Sequence, residues 1–265
     1  GAAAAVPSRL DEPASTGASV IVTVPPGRAG GAASETLSAL AAHLPADAEA
    51  LLVAFGEDLV EDAAGEVVRT SERFGPGEAL EAGLRRSRGE IIIVLEADRP
   101  PTGDFVTPLR DALADTTVAV AGTEGLRSAD LRRYQPVERG DATALRHGCY
   151  AFRRADASRL EGLADRLNLA GSVATAVSLE LRDRGPDVLP RRAVAMALPL
   201  ADAPGDLPAD HARLARRDAY RLAERFAGRD WLAESEPPQG RLVGDGAGQD
   251  DQHDDAHQAG HADDT

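Results

Sequence analysis

Gly89-Glu90-Ile91-Ile92-Ile93-Val94-Leu95-Glu96-Ala97-Asp98-Arg99-Pro100-Pro101 is the stretch on which the reading of this chain turns. Its aliphatic run is continuous rather than alternating, which a strand needs when both of its faces are covered, as in a parallel sheet. The run stops in two carboxylates spaced i, i+2, and the paired prolines break the chain just beyond them. In open α/β sheets ligands gather outside the carboxyl ends of the strands. Two carboxylates across such a turn can converge on a divalent cation, which would in turn neutralise a diphosphate. An E-x-D triplet by itself describes a solvated strand end equally well.

Working outward, residues 77–88 read as a helix with Ala79, Leu80, Gly83 and Leu84 as its apolar stripe and Gly89 as its C-cap. Upstream, residues 18–24 form a β-branched strand stopped by Pro25-Pro26-Gly27. Ser34 caps a helix carrying Leu37, Leu40, Ala41 and Leu44, residues 51–55 are a second strand, and residues 66–69 a third, shorter one. Downstream come a helix over 104–115 and a strand over 118–121. Alternating strands and helices predict a layered α/β sheet. The second half is more mixed, with a strand at 148–152, helices at 156–163 and 172–184, an extended run at 188–200 and a long helix over 207–232. Residues 235–265 hold eight acidic side chains and one Arg, too few apolar groups to offset their ordering entropy. The expected organisation is a flexible leader over 1–17, one domain over 18–233, and a disordered acidic tail over 234–265.

Composition removes several functions. The net charge of −15 and an aromatic content of 3% disfavour nucleic acid, which calls for basic patches or stacking platforms. All 29 basic residues are arginine, so lysine nucleophiles and Schiff bases are excluded. The single Cys149, in an apolar run, reads as a buried, inert thiol with no disulfide partner. Residues 1–6 lack the basic flank of a secretion signal, no run is long enough to span a bilayer, and the expected compartment is the cytoplasm. The absent initiator Met leaves open whether further residues precede the chain.

Five segments, taken in order, are similar to the family 2 glycosyltransferases, which have the GT-A fold. They are Ser19-Val20-Ile21-Val22-Thr23-Val24; Gly83 to Asp98; Pro101-Thr102-Gly103-Asp104-Phe105 with Leu109; Gly148 to Arg154 followed by residues 160–167; and Leu181-Arg182-Asp183-Arg184-Gly185. The resemblance spans about residues 18–230. It implies a mixed, mostly parallel GT-A-like sheet flanked by helices, closed by the long C-terminal helix. It also implies transfer of a sugar from a nucleoside diphosphate donor, usually with inversion, to an unknown acceptor (a glycan or a lipid-linked group), with Mg²⁺ or Mn²⁺. Asp98 would be the metal carboxylate and Glu96 would stand for the first acid of D-x-D. Val24, Pro25 and Glu57 would line the nucleotide.

The departures from the family pattern argue for lost activity. The second strand ends Ala54-Phe55-Gly56-Glu57, where the family has an Asp that reads the base, and Leu80 and Glu81 stand where an Asn is usual. Counting back from Gly185 to the family's acidic base gives Ala174 and Ala176, which accept no proton. A general base is worth roughly 10²–10⁴ in rate. The family's late metal-binding His has no counterpart in 193–197. A pseudoenzyme serving as a binding or scaffolding module is therefore the alternative reading, and an unrelated doubly wound domain, betrayed by a different strand order, a third.

His147 could point into the acceptor cleft, although a satisfied or exposed histidine is the plainer reading. His253, His257 and His261 recur every four residues in the tail, where solvated disorder outweighs metal binding. Arg213, Arg216, Arg217, Arg221 and Arg225 could meet lipid phosphates. Interleaved Asp210, Asp218 and Glu224 make a salt-bridged solvent face the simpler expectation. The Gly-rich 25–31 segment has neither a dinucleotide fingerprint nor a Walker lysine.

Overall fold

A computed structural model describes residues 8–24, 30–55, 66–70, 75–163, 167–202 and 210–234. The first half runs β1 (Thr16–Thr23), α1 (Gly30–His43), β2 (Ala48–Phe55), β3 (Glu66–Thr70), α2 (Pro76–Arg86), β4 (Gly89–Glu96), α3 (Val106–Ala114) and β5 (Val118–Gly122). The second half runs β6 (Gly125–Arg127), β7 (Gln135–Val137), β8 (Gly140–Ala142), β9 (Ala144–Leu145), β10 (Cys149–Arg153), α4 (Ala170–Arg182), β11 (Arg192–Ala195) and α5 (His211–Arg225). Short 3-10 segments follow β10 (Arg154–Leu160) and α5 (Asp230–Leu232).

Eight strands form one sheet in the order β3-β2-β1-β4-β10-β5-β11-β8. β1 pairs in parallel with both β2 and β4, whereas β10 enters antiparallel between β4 and β5, and β8 runs antiparallel to the edge of β11. The mostly parallel sheet flanked by helices is thus as expected. Successive residues of the central strands serve opposite layers. Val20, Val22, Ile93 and Leu95 pack with Leu37 and Leu40 of α1 and Leu109 and Leu113 of α3. Ile21, Ile92 and Val94 pack with Leu80 and Leu84 of α2 and Val177 and Leu181 of α4. This two-sided burial is why the strand sequences are continuously aliphatic.

Several sequence expectations shift. Residues 8–15 dock rather than forming part of a loose leader: the Arg9 N–H donates to the Arg85 carbonyl at 2.8 Å, and buried Arg154 donates to the carbonyls of Arg9 and Glu12. Gly89 opens β4, paired with Thr16 of β1, instead of capping α2, and a Cβ there would lie 2.2 Å from the Ser19 nitrogen. Ser87 takes the C-cap, its N–H bonding the carbonyls of Gly83 and Leu84. α1 begins at Gly30, ahead of Ser34. The long C-terminal helix is 15 residues, ending at Arg225 with Gly228 (φ 76°) turning the chain before the last 3-10 segment. Residues 207–209, Pro25, Glu57, and residues 235–265 of the expected tail, including its three histidines, lie outside the described residues. Glu234 is described, and its N–H donates to the Ser128 carbonyl.

Candidate active site

β1 and β4 end side by side, Thr23 opposite Glu96, and the chain turns there over Glu96-Ala97-Asp98. Three neighbours fix the turn. The Ala97 N–H donates to the Thr23 carbonyl at 3.0 Å, the Glu96 N–H to the Gly148 carbonyl at 2.9 Å, and the Thr36 hydroxyl of α1 to the Ala97 carbonyl at 2.6 Å. Gly148 is required at its position. Its φ is +93°, and a Cβ would fall 2.9 Å from the Thr123 hydroxyl and 3.3 Å from Arg99.

The antiparallel entry of β10 brings residues distant in sequence to this turn. His147, just before β10, places Nδ1 3.9 Å from Glu96 Oε2 and Nε2 3.3 Å from Glu124 Oε2. Arg99 forms an ion pair with the other oxygen of Glu124. Burial, followed by the charge of Asp98, pushes the Glu96 carboxyl up to about 7, against the pull of a Gly148 backbone N–H and of Arg99. Burial likewise lowers His147 below the usual imidazole range, against the opposing charge of Glu124. Glu96 thus stands largely withdrawn from water beside a second carboxylate, a condition that a positive charge would relieve.

Glu96 lies close enough to Asp98 to feel its charge, at the end of β4, and Val24, which follows β1, is buried. Glu96 and Asp98 supply two hard oxygen donors. Among the described residues no group of three or more His, Cys, Asp or Glu side chains is arranged to hold a metal ion. Glu124 is engaged by both Arg99 and His147. Two carboxylates suit a cation such as Mg²⁺ that keeps waters and shares substrate phosphates, rather than an all-protein cage. The donor set fits a cation arriving with its diphosphate.

The positions counted back to the family's base, Ala174 and Ala176, lie on α4. α4 starts at Ala170, two residues before the expected start, and its first turn carries no acidic side chain. Ala174 and Ala176 are fully buried in the second turn and face the core. It is Gly171 that approaches the cluster, since an added Cβ would be 3.5 Å from His147 Cδ2. Arg99 and Glu124 were missed because each gains meaning only through β10. The only sequence signal was the placement of Arg99 directly after Asp98. Two cavities of about 430 and 440 Å³ lie at the other end of β4, sharing Leu10, Asp11 and Ser158 in their linings. No helix among the described residues is long and apolar enough to cross a membrane.

Residues 53–167 match the family model for glycosyl transferase family 2. The match runs from the end of β2 through the 3-10 segment after β10 and contains Glu96, Asp98, Arg99, Glu124 and His147. Solved structures share the fold. GalNAc-T7, solved with UDP, GalNAc and Mn²⁺, aligns with a TM-score of 0.58 at 16% identity over 78% of this chain and 48% of its own. TarS 1-349 of S. aureus aligns with a TM-score of 0.53 at 13% identity over 79% of this chain and 64% of its own. This chain therefore spans about half of the first and less than two thirds of the second. No curated protein sequence matches it. The fold is GT-A, and the resemblance to family 2 glycosyltransferases holds over the matched segment.

Proposed function

We propose that the chain binds a nucleoside diphosphate sugar over the Glu96-Ala97-Asp98 turn and transfers the sugar, with inversion, to a glycan or lipid-linked acceptor. The observation that supports this most is the acidic turn at the mouth of the sheet, held by Thr23, Thr36 and Gly148 and containing a carboxylate raised to about 7. In this reading Asp98 and Glu96 hold Mg²⁺ or Mn²⁺, which when bound neutralises the diphosphate. Val24 and Pro25 line the nucleoside, with Glu57 near the base. Glu124 positions Arg99 and His147 around the turn. The working unit is residues 18–233 together with the docked 8–17 segment, acting in the cytoplasm. That GalNAc-T7 was solved with UDP and Mn²⁺ supports the donor class. Calorimetry of a panel of nucleoside diphosphate sugars, with Mn²⁺ and with EDTA, tests the proposal. Heat for at least one donor is expected, and silence across the panel would refute it.

One observation favours a second reading, a pseudo-glycosyltransferase that binds without turning over: the first turn of α4 has no acid and Ala174 and Ala176 are buried. Donor hydrolysis that disappears in Asp98→Ala would defeat it.

A further inference from the structure

His147 Nδ1 is buried and has no hydrogen-bond partner among the described residues. A buried polar atom left without a partner is costly, and where it persists it marks the place of a missing one. It lies 3.9 Å from Glu96 Oε2, too far for a hydrogen bond. The other ring nitrogen is accounted for. Nε2 lies 3.3 Å from Glu124 Oε2, and Arg99 pairs with the second oxygen of Glu124, holding that carboxylate in place. A carboxylate at Nε2 favours the tautomer with the proton there, which leaves Nδ1 with its lone pair on the Glu96 side. Metal-binding histidines are oriented in this manner: the ring gives its far N–H to a carboxylate and offers its near nitrogen to the ion.

The backbone fixes where the ring starts. The Arg146 N–H donates to the Glu124 carbonyl at 2.9 Å, the Thr123 hydroxyl to the His147 carbonyl at 3.0 Å, and the Glu96 N–H to the Gly148 carbonyl. The charge of Asp98 is felt by both Glu96 and His147. Donors roughly 2.1 Å from an ion stand about 3 Å apart in neighbouring octahedral positions and about 4.2 Å apart in opposite ones. The 3.9 Å between Nδ1 and Glu96 Oε2 falls between these values. Less than about 1 Å of side-chain movement therefore brings the pair onto one ion. That movement separates the present arrangement, which forms no three-group cage among the described residues, from a three-donor site.

We propose, resting on the reading of Glu96-Ala97-Asp98 as the cation-holding turn, that His147 Nδ1 is the third protein donor to that cation and selects Mn²⁺ over Mg²⁺. Imidazole suits transition ions, whereas Mg²⁺ keeps to oxygen. This donor comes from the loop before β10 and is not the late His for which residues 193–197 hold no counterpart.

Electron spin echo spectroscopy of Mn²⁺ bound to the full chain, alone and with UDP, reads the coordination directly. The wild type should show the nitrogen modulation of a bound imidazole, and Asp98→Asn should lose the ion. His147→Gln, shown to be folded by circular dichroism, should lose the modulation and bind Mn²⁺ roughly tenfold or more weakly. Its Mg²⁺ affinity, read by calorimetry, should change less than about twofold. His253, His257 and His261 of the tail make the variant necessary: modulation that survives His147→Gln comes from another ring and overturns the assignment. Mn²⁺ held through Asp98 without nitrogen modulation also overturns it, while leaving the donor site standing. Equal losses of Mn²⁺ and Mg²⁺ affinity in His147→Gln would overturn the selectivity. No Mn²⁺ binding at all, with or without UDP, would refute the donor-site reading and this assignment with it.

Discussion

Glu96 and Asp218 are both carboxylates taken out of water, and their surroundings treat them in opposite ways. Asp218 receives three N–H donors from Asn168 and Leu169, with Arg221 4.0 Å away, and so ties α5 to the start of α4. Glu96 receives one backbone N–H and has Asp98 for a neighbour. A buried charge with its donors supplied holds a structure together, whereas one short of them waits for a counter-charge. The first is the pattern of a joint and the second of a site.

Substitutions separate the two roles. Asp218→Ala strips three donors of their acceptor at a fully buried position and should cost about 3–5 kcal/mol in urea unfolding. A loss below about 1 kcal/mol would remove the contrast. Glu96→Gln should act in the other direction. A carboxyl raised to about 7 favours the fold while protonated, so that contribution is complete below its ordinary value near 4.5 and is lost as pH climbs towards 7. In EDTA, Glu96→Gln should therefore gain on the wild type by about 2–3 kcal/mol between pH 4.5 and 8. Parallel stability curves would mean that Glu96 is as well supplied as Asp218. Gly148→Ala, forced to a φ of +93° against Thr123, should lose about 2 kcal/mol and weaken donor binding with it. Thr36→Val removes one hydrogen bond from the Ala97 carbonyl and should cost about 1 kcal/mol, with a measurable drop in nucleotide affinity.

Much of this was legible in the sequence where the signal is local. The continuous aliphatic run through Leu95 gave away a covered central strand, and the breaker prolines placed Glu96 and Asp98 at its end. The small strands β6 to β9 escaped because two or three residues carry no periodicity to read. His147 was noticed without its partners, since its contact with Glu96 depends on β10 running antiparallel against β4, a long-range pairing that no local pattern encodes. Counting back from Gly185 reached Ala174 and Ala176, which the fold places buried in the second turn of α4. The helix starts earlier, and the residue of its first turn that lies near His147 is Gly171. Asp218 read as a surface acid because helical charge spacing does not reveal which face is turned inward.

The most direct test is the titration of Glu96 itself, followed by carboxyl-carbon NMR. In EDTA its midpoint should lie near 7, and saturating Mg²⁺ with a nucleoside diphosphate should draw it down by more than a unit. A midpoint near 4.5 in the free protein, or one that magnesium and nucleotide leave in place, would contradict the assignment of the Glu96-Ala97-Asp98 turn as the donor site.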